Sequence, residues 1–200
     1  MLFDLIAPVY GLFYHRQRKR YGEIIAKPLQ ELGVTSARTV IDIGCGTGAL
    51  CSVFSDMGHT VTGVDPAAKM LAVARQKNTE RVRLIQADAL KGLPFADKSF
   101  DLAIASYVAH GLTRENRQRL YAEMSRLARE WVIIHDYNRK RSLLTTLIEW
   151  LERGDYFHFI LNAEQEMREC ISDMNVCFAT VKIVDVDVCA AWYLCKPADN

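Results

Sequence analysis

"VIDIGCGTGAL", from Val40 to Leu50, sets three glycines on alternate positions directly after an apolar run that holds one acid, Asp42. The β-branched run Val40 to Ile43 reads as a strand, and Ala49-Leu50 begins a helical pattern. Between them lies "GCGTG", at the point where a strand hands over to a helix. Missing side chains let a ligand approach the backbone there, and the helix N-terminus offers N–H groups that no helical carbonyl takes.

Working outward from this loop, β-prone runs recur: "RTVIDI", "HTVTGVD", "RVRLIQAD", "SFDLAIAS" and "EWVIIHD". Helical patterns separate the first three and the last two, which is the punctuation of βαβ units. Val40 to Ile43 and Leu102 to Ala105 are apolar on both faces, as strands are when helices cover both sides of a parallel sheet. The class is α/β, doubly wound. After Asp136 the rhythm changes to two helical pieces broken at Gly154-Asp155 and then two strands, "ATVKIVDV" and "AAWYLCK". Too few residues join those two for a crossover helix, so they form an antiparallel hairpin. Ahead of the first strand, "RQRKRYGEIIAKPLQELG" predicts an amphipathic helix with a kink or break at Pro28.

The chain has 200 residues, half of them hydrophobic and 24 % charged, the balance of one folded domain. Lys plus Arg number 25 against 24 for Asp plus Glu, so no global positive field would gather nucleic acid. The six cysteines show no CxxC pair and no zinc spacing with His; they read as buried free thiols, and no metal is expected. The N-terminus places its basic cluster after its apolar part, the reverse of a secretory signal, and no apolar run approaches a bilayer span. A reducing cytoplasm fits these features.

Two cofactors compete for the loop. Gly44, Gly46 and Ala49 satisfy the G-x-G-x-x-G/A dinucleotide pattern, and Asp65 stands where an NAD site places its ribose acid. Against NAD stand a third alternate glycine at Gly48, the terminal hairpin, and Asp42. That carboxylate would repel a pyrophosphate and attract an amino group or a sulfonium.

"VIDIGCGTGAL", "VTGVDPAAKML", "IQADALKGLPFADKSFDLAIAS" and the closing hairpin, in that order, resemble the class I S-adenosylmethionine-dependent methyltransferases. "FDLIAPVY" and "LPFADKSFDLAIASYVAHGL" resemble the small-molecule branch that includes the ubiquinone and menaquinone C-methyltransferases. The resemblance implies a Rossmann-like sheet of seven mostly parallel strands. It also implies one domain over 1–200: an N-terminal lid and helix (1–36), a cofactor-binding core (37–136), acceptor-covering helices (137–176) and the hairpin (177–197). It assigns the loop Gly44, Cys45, Gly46 and Gly48 to the methionine end of S-adenosylmethionine, Asp42 to its amino group, and Asp65 to the ribose diol. Pro66 and Met70 are assigned to the adenine face, and Asp88 with the Ala89 N–H to the adenine edge. Tyr10, in the segment that folds over the cofactor with Tyr14, completes the set. The product would be S-adenosylhomocysteine.

Methyl transfer from a sulfonium is an in-line displacement, so the protein aligns the acceptor, excludes water and removes a proton where the acceptor has one to lose. The family position past "LAIAS" faces the methyl group and here carries Ser106, Tyr107 and His110. His110 is the first candidate base; its other reading is a cap for the helix beginning near Thr113. "IIHDYN" ends another strand, which makes His135, Asp136 and Tyr137 candidates as well. Gly11 stands where the quinone enzymes carry an acid, which argues against a quinone. The run "HRQRKR" reads as a solvated face rather than an anion site. Trp150, Tyr156, Phe157, His158 and Phe159 suit a cover for an apolar or aromatic small molecule, and equally suit core packing. "SYVA" lacks the signature of amino-methylating DNA enzymes, and no arginine-methylating glutamate pair is seen. The expectation is a methyltransferase acting on a small apolar or aromatic acceptor. The alternatives are a non-catalytic S-adenosylmethionine-binding module and, remotely, an NAD-dependent oxidoreductase.

Overall fold

The computed structural model describes residues 2–31, 37–137, 163–187 and 190–198. Helix α1 (Leu2–Glu31) is followed by β1 (Thr39–Ile43), α2 (Ala49–Asp56), β2 (Thr60–Asp65), α3 (Ala68–Lys77), β3 (Val82–Gln86), β4 (Phe100–Ser106), α4 (Arg114–Leu127), β5 (Ala128–Tyr137), α5 (Ala163–Cys177), β6 (Phe178–Asp185) and β7 (Ala190–Pro197). Short 3-10 turns at Ala89–Lys91 and Ala109–Gly111 flank β4.

The strands form one seven-stranded sheet in the order β3-β2-β1-β4-β5-β7-β6. The first five run parallel; β7 is antiparallel to both β5 and β6, as the short connection requires. Alternation sorts side chains to the two faces. Ile41, Ile43, Ala103, Ala105 and Ile134 join Tyr121, Met124 and Met174 of α4 and α5, whereas Val40, Leu102, Ile104, Ile133 and Trp192 join Ile25, Leu50, Phe54 and Leu71 of α1, α2 and α3. Helices on both faces explain why β1 and β4 carry continuous apolar runs rather than alternating ones.

The expected break at Pro28 is absent: α1 runs on to Glu31. Pro28 lies in the last turn, where its missing N–H removes one helical bond, while Ile25 and Leu29 are buried and hold that turn against the sheet. The buried stripe of α1, Ala7, Tyr14, Ile25 and Leu29, packs on α2 and α3. Gly11 faces α3 closely, since a Cβ there would meet Val73 Cγ1 at 3.3 Å.

Candidate functional site

Apart from Tyr10 and Tyr14 of α1 and Met70 of α3, the candidates in the described residues lie at or just past the C-terminal ends of the parallel strands, where open α/β sheets place ligands. The glycine loop is fixed by its neighbours. Gly44 N and Cys45 N both donate to Val64 O, at 2.8 and 3.0 Å. Gly44 has φ +75°, and a Cβ on it would stand 2.5 Å from Val108 Cγ2, so the turn after β4 presses directly on the loop. Gly46 (φ +52°) is the contrast: a Cβ there would meet nothing within 4 Å, which leaves this side of the loop open to a ligand.

Two carboxylates floor the loop. Asp65 is buried at the end of β2; its Oδ2 accepts Gly46 N–H at 2.8 Å and its Oδ1 accepts Ala67 N–H at 2.8 Å. Asp42 is 1 % exposed, and the Cys51 thiol donates to its Oδ2 at 3.1 Å. Burial pushes its carboxyl up to about 7, and the charge of Asp65 adds to the rise. Cys45, Cys51, Cys170 and Cys195 are buried free thiols and Cys177 is half-buried.

Beyond Asp65, Pro66 is exposed while Met70 is buried with Ala7 and Ala67, and Tyr10 of α1 packs on that group. Asp88 is half-buried, accepts Leu90 N–H at 3.0 Å and sits 3.3 Å from Lys91 Nζ, which holds the 3-10 turn that starts at Ala89. Tyr14 belongs to packing rather than to the loop: it is buried and its hydroxyl donates to Lys77 O at 3.2 Å. Of the basic run, Arg18 pairs with Asp56, Lys19 lies near Glu23, and Arg20 pairs with Asp187. The aromatic stretch from Trp150 to Phe159 lies outside the described residues.

Past β4 the backbone is strained. Tyr107 has φ +55°, a region that bulky L-residues avoid, and it is held there by its N–H donating to His135 O at 2.8 Å. Its ring lies 4.7 Å from that of His135, 5.1 Å from Tyr137 and 6.4 Å from His110. Burial raises the Tyr107 phenol, which stays protonated. His110 does not cap α4. Thr113 does, accepting Asn116 N–H at 3.4 Å, whereas His110 Nδ1 bonds Asp136 Oδ1 at 2.9 Å and the His110 N–H reaches Asp136 Oδ2 at 3.1 Å. Asp136 is itself buried and also accepts Tyr137 N–H at 2.9 Å. His135, one residue earlier on β5, points to the opposite face. There Tyr21 Oη, Ser106 Oγ and His135 Nδ1 form a chain with links of 3.0 and 2.9 Å. Burial holds His135 down to about 4, so it is neutral.

Of the residues singled out from sequence, the structure joins His110 to Asp136 with the Tyr107 and Tyr137 rings beside them, and puts Ser106 with His135 on the opposite face; sequence reasoning missed Tyr21, Val108 and Cys51. Tyr21 lies seven residues, two helical turns, after Tyr14 on the buried stripe, the one signal that marked it. Nothing in the sequence marked Cys51.

The sheet order, the reversed β7 and the glycine loop define a Rossmann-like methyltransferase fold. Residues 41–133 match the family described as "Methyltransferase domain". An uncharacterized methyltransferase of Bacillus cytotoxicus is 32 % identical over 130 residues, 63 % of this chain and 60 % of that protein. A demethylmenaquinone methyltransferase of Tropheryma whipplei is 44 % identical over 71 residues, 35 % of this chain and 29 % of that protein. The matched stretches thus span less than two thirds of either curated relative. The crystal structure of an S-adenosyl-L-methionine-dependent methyltransferase from Methanococcus maripaludis shares the fold, with a TM-score of 0.74 at 18 % identity over 100 % of this chain and 95 % of that one. The chain is thus similar to methyltransferases in the domain matched over residues 41–133 and in its fold.

Proposed function

We propose that the protein binds S-adenosylmethionine along the C-terminal ends of β1, β2 and β4 and transfers its methyl group to a small aromatic or apolar acceptor that loses a proton. The observation carrying this reading is the meeting, on one sheet edge, of an open glycine loop over two buried carboxylates with the His110–Asp136 pair past β4 and β5. The donor set fits the cofactor. Asp42 suits a cationic amino group, and Asp65, already holding Gly46 N–H, has lone pairs for a vicinal diol. The bare face of Gly46 admits the methionine chain. Pro66, Met70 and Tyr10 supply apolar surface for a purine, with Asp88 and the Ala89 N–H at its edge. When bound, the sulfonium supplies an electrophilic methyl group.

The protein's own part is to hold, orient and deprotonate. Asp136 fixes His110 with Nδ1–H toward the carboxylate, which makes Nε2 the basic nitrogen of the ring and steadies the imidazolium once it takes the acceptor's proton. Tyr107 and Tyr137 offer ring faces against which a flat acceptor can lie. Free cysteines support a reducing, cytoplasmic setting.

Calorimetric titration with S-adenosylhomocysteine, S-adenosylmethionine and NAD tests the reading. Micromolar binding of the first two and none of NAD is expected. Asp65→Ala should weaken S-adenosylhomocysteine by at least about tenfold, the value of one charged hydrogen bond. An unchanged affinity in that variant would remove Asp65 from the site.

A further inference from the structure

The connection from Gly92 to Ser99, which leads from the Asp88 turn to β4, has neither helix nor strand. Its backbone groups must therefore find partners elsewhere. Two side chains of α4, one turn apart, supply them. Glu123 Oε1 accepts the Leu93 N–H at 2.6 Å. Arg126 donates from Nη2 to Leu93 O at 3.1 Å, and from Nη1 to Phe95 O at 2.8 Å and Asp97 Oδ1 at 2.6 Å. The two side chains also hold each other, with Arg126 Nε on Glu123 Oε2 and Nη2 on Oε1, both at 2.8 Å. Only a guanidinium has the donors, in one rigid fork, to serve all these acceptors at once.

The position of this clamp gives it a role beyond holding a loop. Leu93 is buried in the same core cluster as Leu120, Met124 and Leu127 of α4, and Ala89 and Leu90 pack against that cluster. Only Gly92, at φ +83°, separates Leu93 from the 3-10 turn Ala89–Lys91. On the other side of the turn, Ala87 N–H donates to Asp65 O at 3.3 Å. The short piece carrying Asp88 and the Ala89 N–H thus hangs between two fixed points. One is the end of β2; the other is the Glu123–Arg126 clamp.

We propose that Glu123 and Arg126 are positioning residues for the cofactor's purine: by fixing Leu93 and Phe95 they set where Asp88 stands, and so determine the preference for a 6-amino over a 6-oxo purine. They act through the backbone rather than by contact with the cofactor. The inference rests on the methyl-transfer reading and on Asp88 as acceptor for the adenine amino group. A 6-oxo purine turns an oxygen toward that carboxylate, so discrimination depends on holding Asp88 in place.

The test is calorimetric titration of the full chain with S-adenosylhomocysteine and with S-inosylhomocysteine, whose purine carries an oxygen in place of the amino group. Wild type should prefer the adenine compound by at least about tenfold, the value of one hydrogen bond to a charged group. Arg126→Lys keeps the charge but loses the fork. Its preference should fall below about threefold, chiefly through weaker S-adenosylhomocysteine binding, with Glu123→Gln intermediate. Titrations are run where circular dichroism shows each variant folded; a merely structural role lowers Tm and leaves the ratio of the two affinities unchanged. Amide hydrogen exchange on the wild type needs no variant: by reciprocity, S-adenosylhomocysteine should slow exchange at Leu93 and Phe95 more than S-inosylhomocysteine does. An undiminished preference in Arg126→Lys overturns the proposal, as does exchange at Leu93 and Phe95 that ignores the ligand. Wild type that binds both compounds equally removes Asp88 from the purine and this inference with it. Failure to bind S-adenosylhomocysteine at all strikes the methyl-transfer reading itself.

Discussion

With the cofactor's amino group on Asp42 as proposed, the buried carboxyl should make cofactor binding a proton-release reaction. Its position near 7, against an ordinary 3.8, is a rise of about three units, or ~4 kcal/mol against ionisation in the empty site. At 1 % exposure no solvent screening reduces that figure. Because the folded value lies above the unfolded one, the neutral acid contributes stability that is complete below about pH 4 and is lost as pH rises through about 7. A ligand ammonium reverses the preference, drawing the proton off Asp42 as it binds. S-adenosylhomocysteine should therefore release about 0.9 proton at pH 6, about 0.5 at pH 7 and about 0.1 at pH 8, with affinity strengthening roughly tenfold per unit from pH 5 to 7 and then levelling. Calorimetry in two buffers of different ionisation enthalpy reads the proton count directly. Asp42→Asn should abolish the proton release and flatten the profile, and should make the empty protein more stable at pH 8 than the wild type. A wild-type affinity that is flat from pH 5 to 8, or an undiminished slope in the Asn variant, would refute the reasoning.

Asp136→Asn leaves His110 without the carboxylate that orients it, so kcat should drop about 10²- to 10⁴-fold while S-adenosylhomocysteine affinity is unchanged, read by label transfer beside calorimetry. Gly44→Ala forces a Cβ into a left-handed backbone and to 2.5 Å from Val108 Cγ2. It should cost roughly 1–3 kcal/mol in urea denaturation and weaken cofactor binding as the loop shifts.

The fold was legible because its signals are local. Strand periodicity, the glycine loop and the short β6–β7 connection each occupy a dozen residues or fewer, and each limits topology on its own. Gly11 shows where local reading misleads. From sequence it marked a departure from the quinone enzymes, but in the structure it is also the point where α1 meets Val73 of α3, so close packing is a second reason for a glycine there. At Pro28 the helix does not break, and Ile25 and Leu29 on either side of it are buried.

The site divides along the same line. Asp42, Asp65 and the loop glycines stand in one continuous order that the backbone turn itself requires, and a sequence carries such order openly. The polar cluster beside β5 is assembled from α1, β4, β5 and β7: Tyr21, Ser106, His135 and Trp192 are separated by 85, 29 and 57 positions and come together only through register. His135 and Asp136, adjacent in the chain, serve opposite faces of the sheet, and only the pairing of β5 with β4 and β7 decides which face each one takes. A glycine loop of this kind can be written in a motif, whereas side chains whose only common feature is their place in the sheet cannot. Two chains with the same glycine loop can therefore differ in substrate without any change that a motif would register.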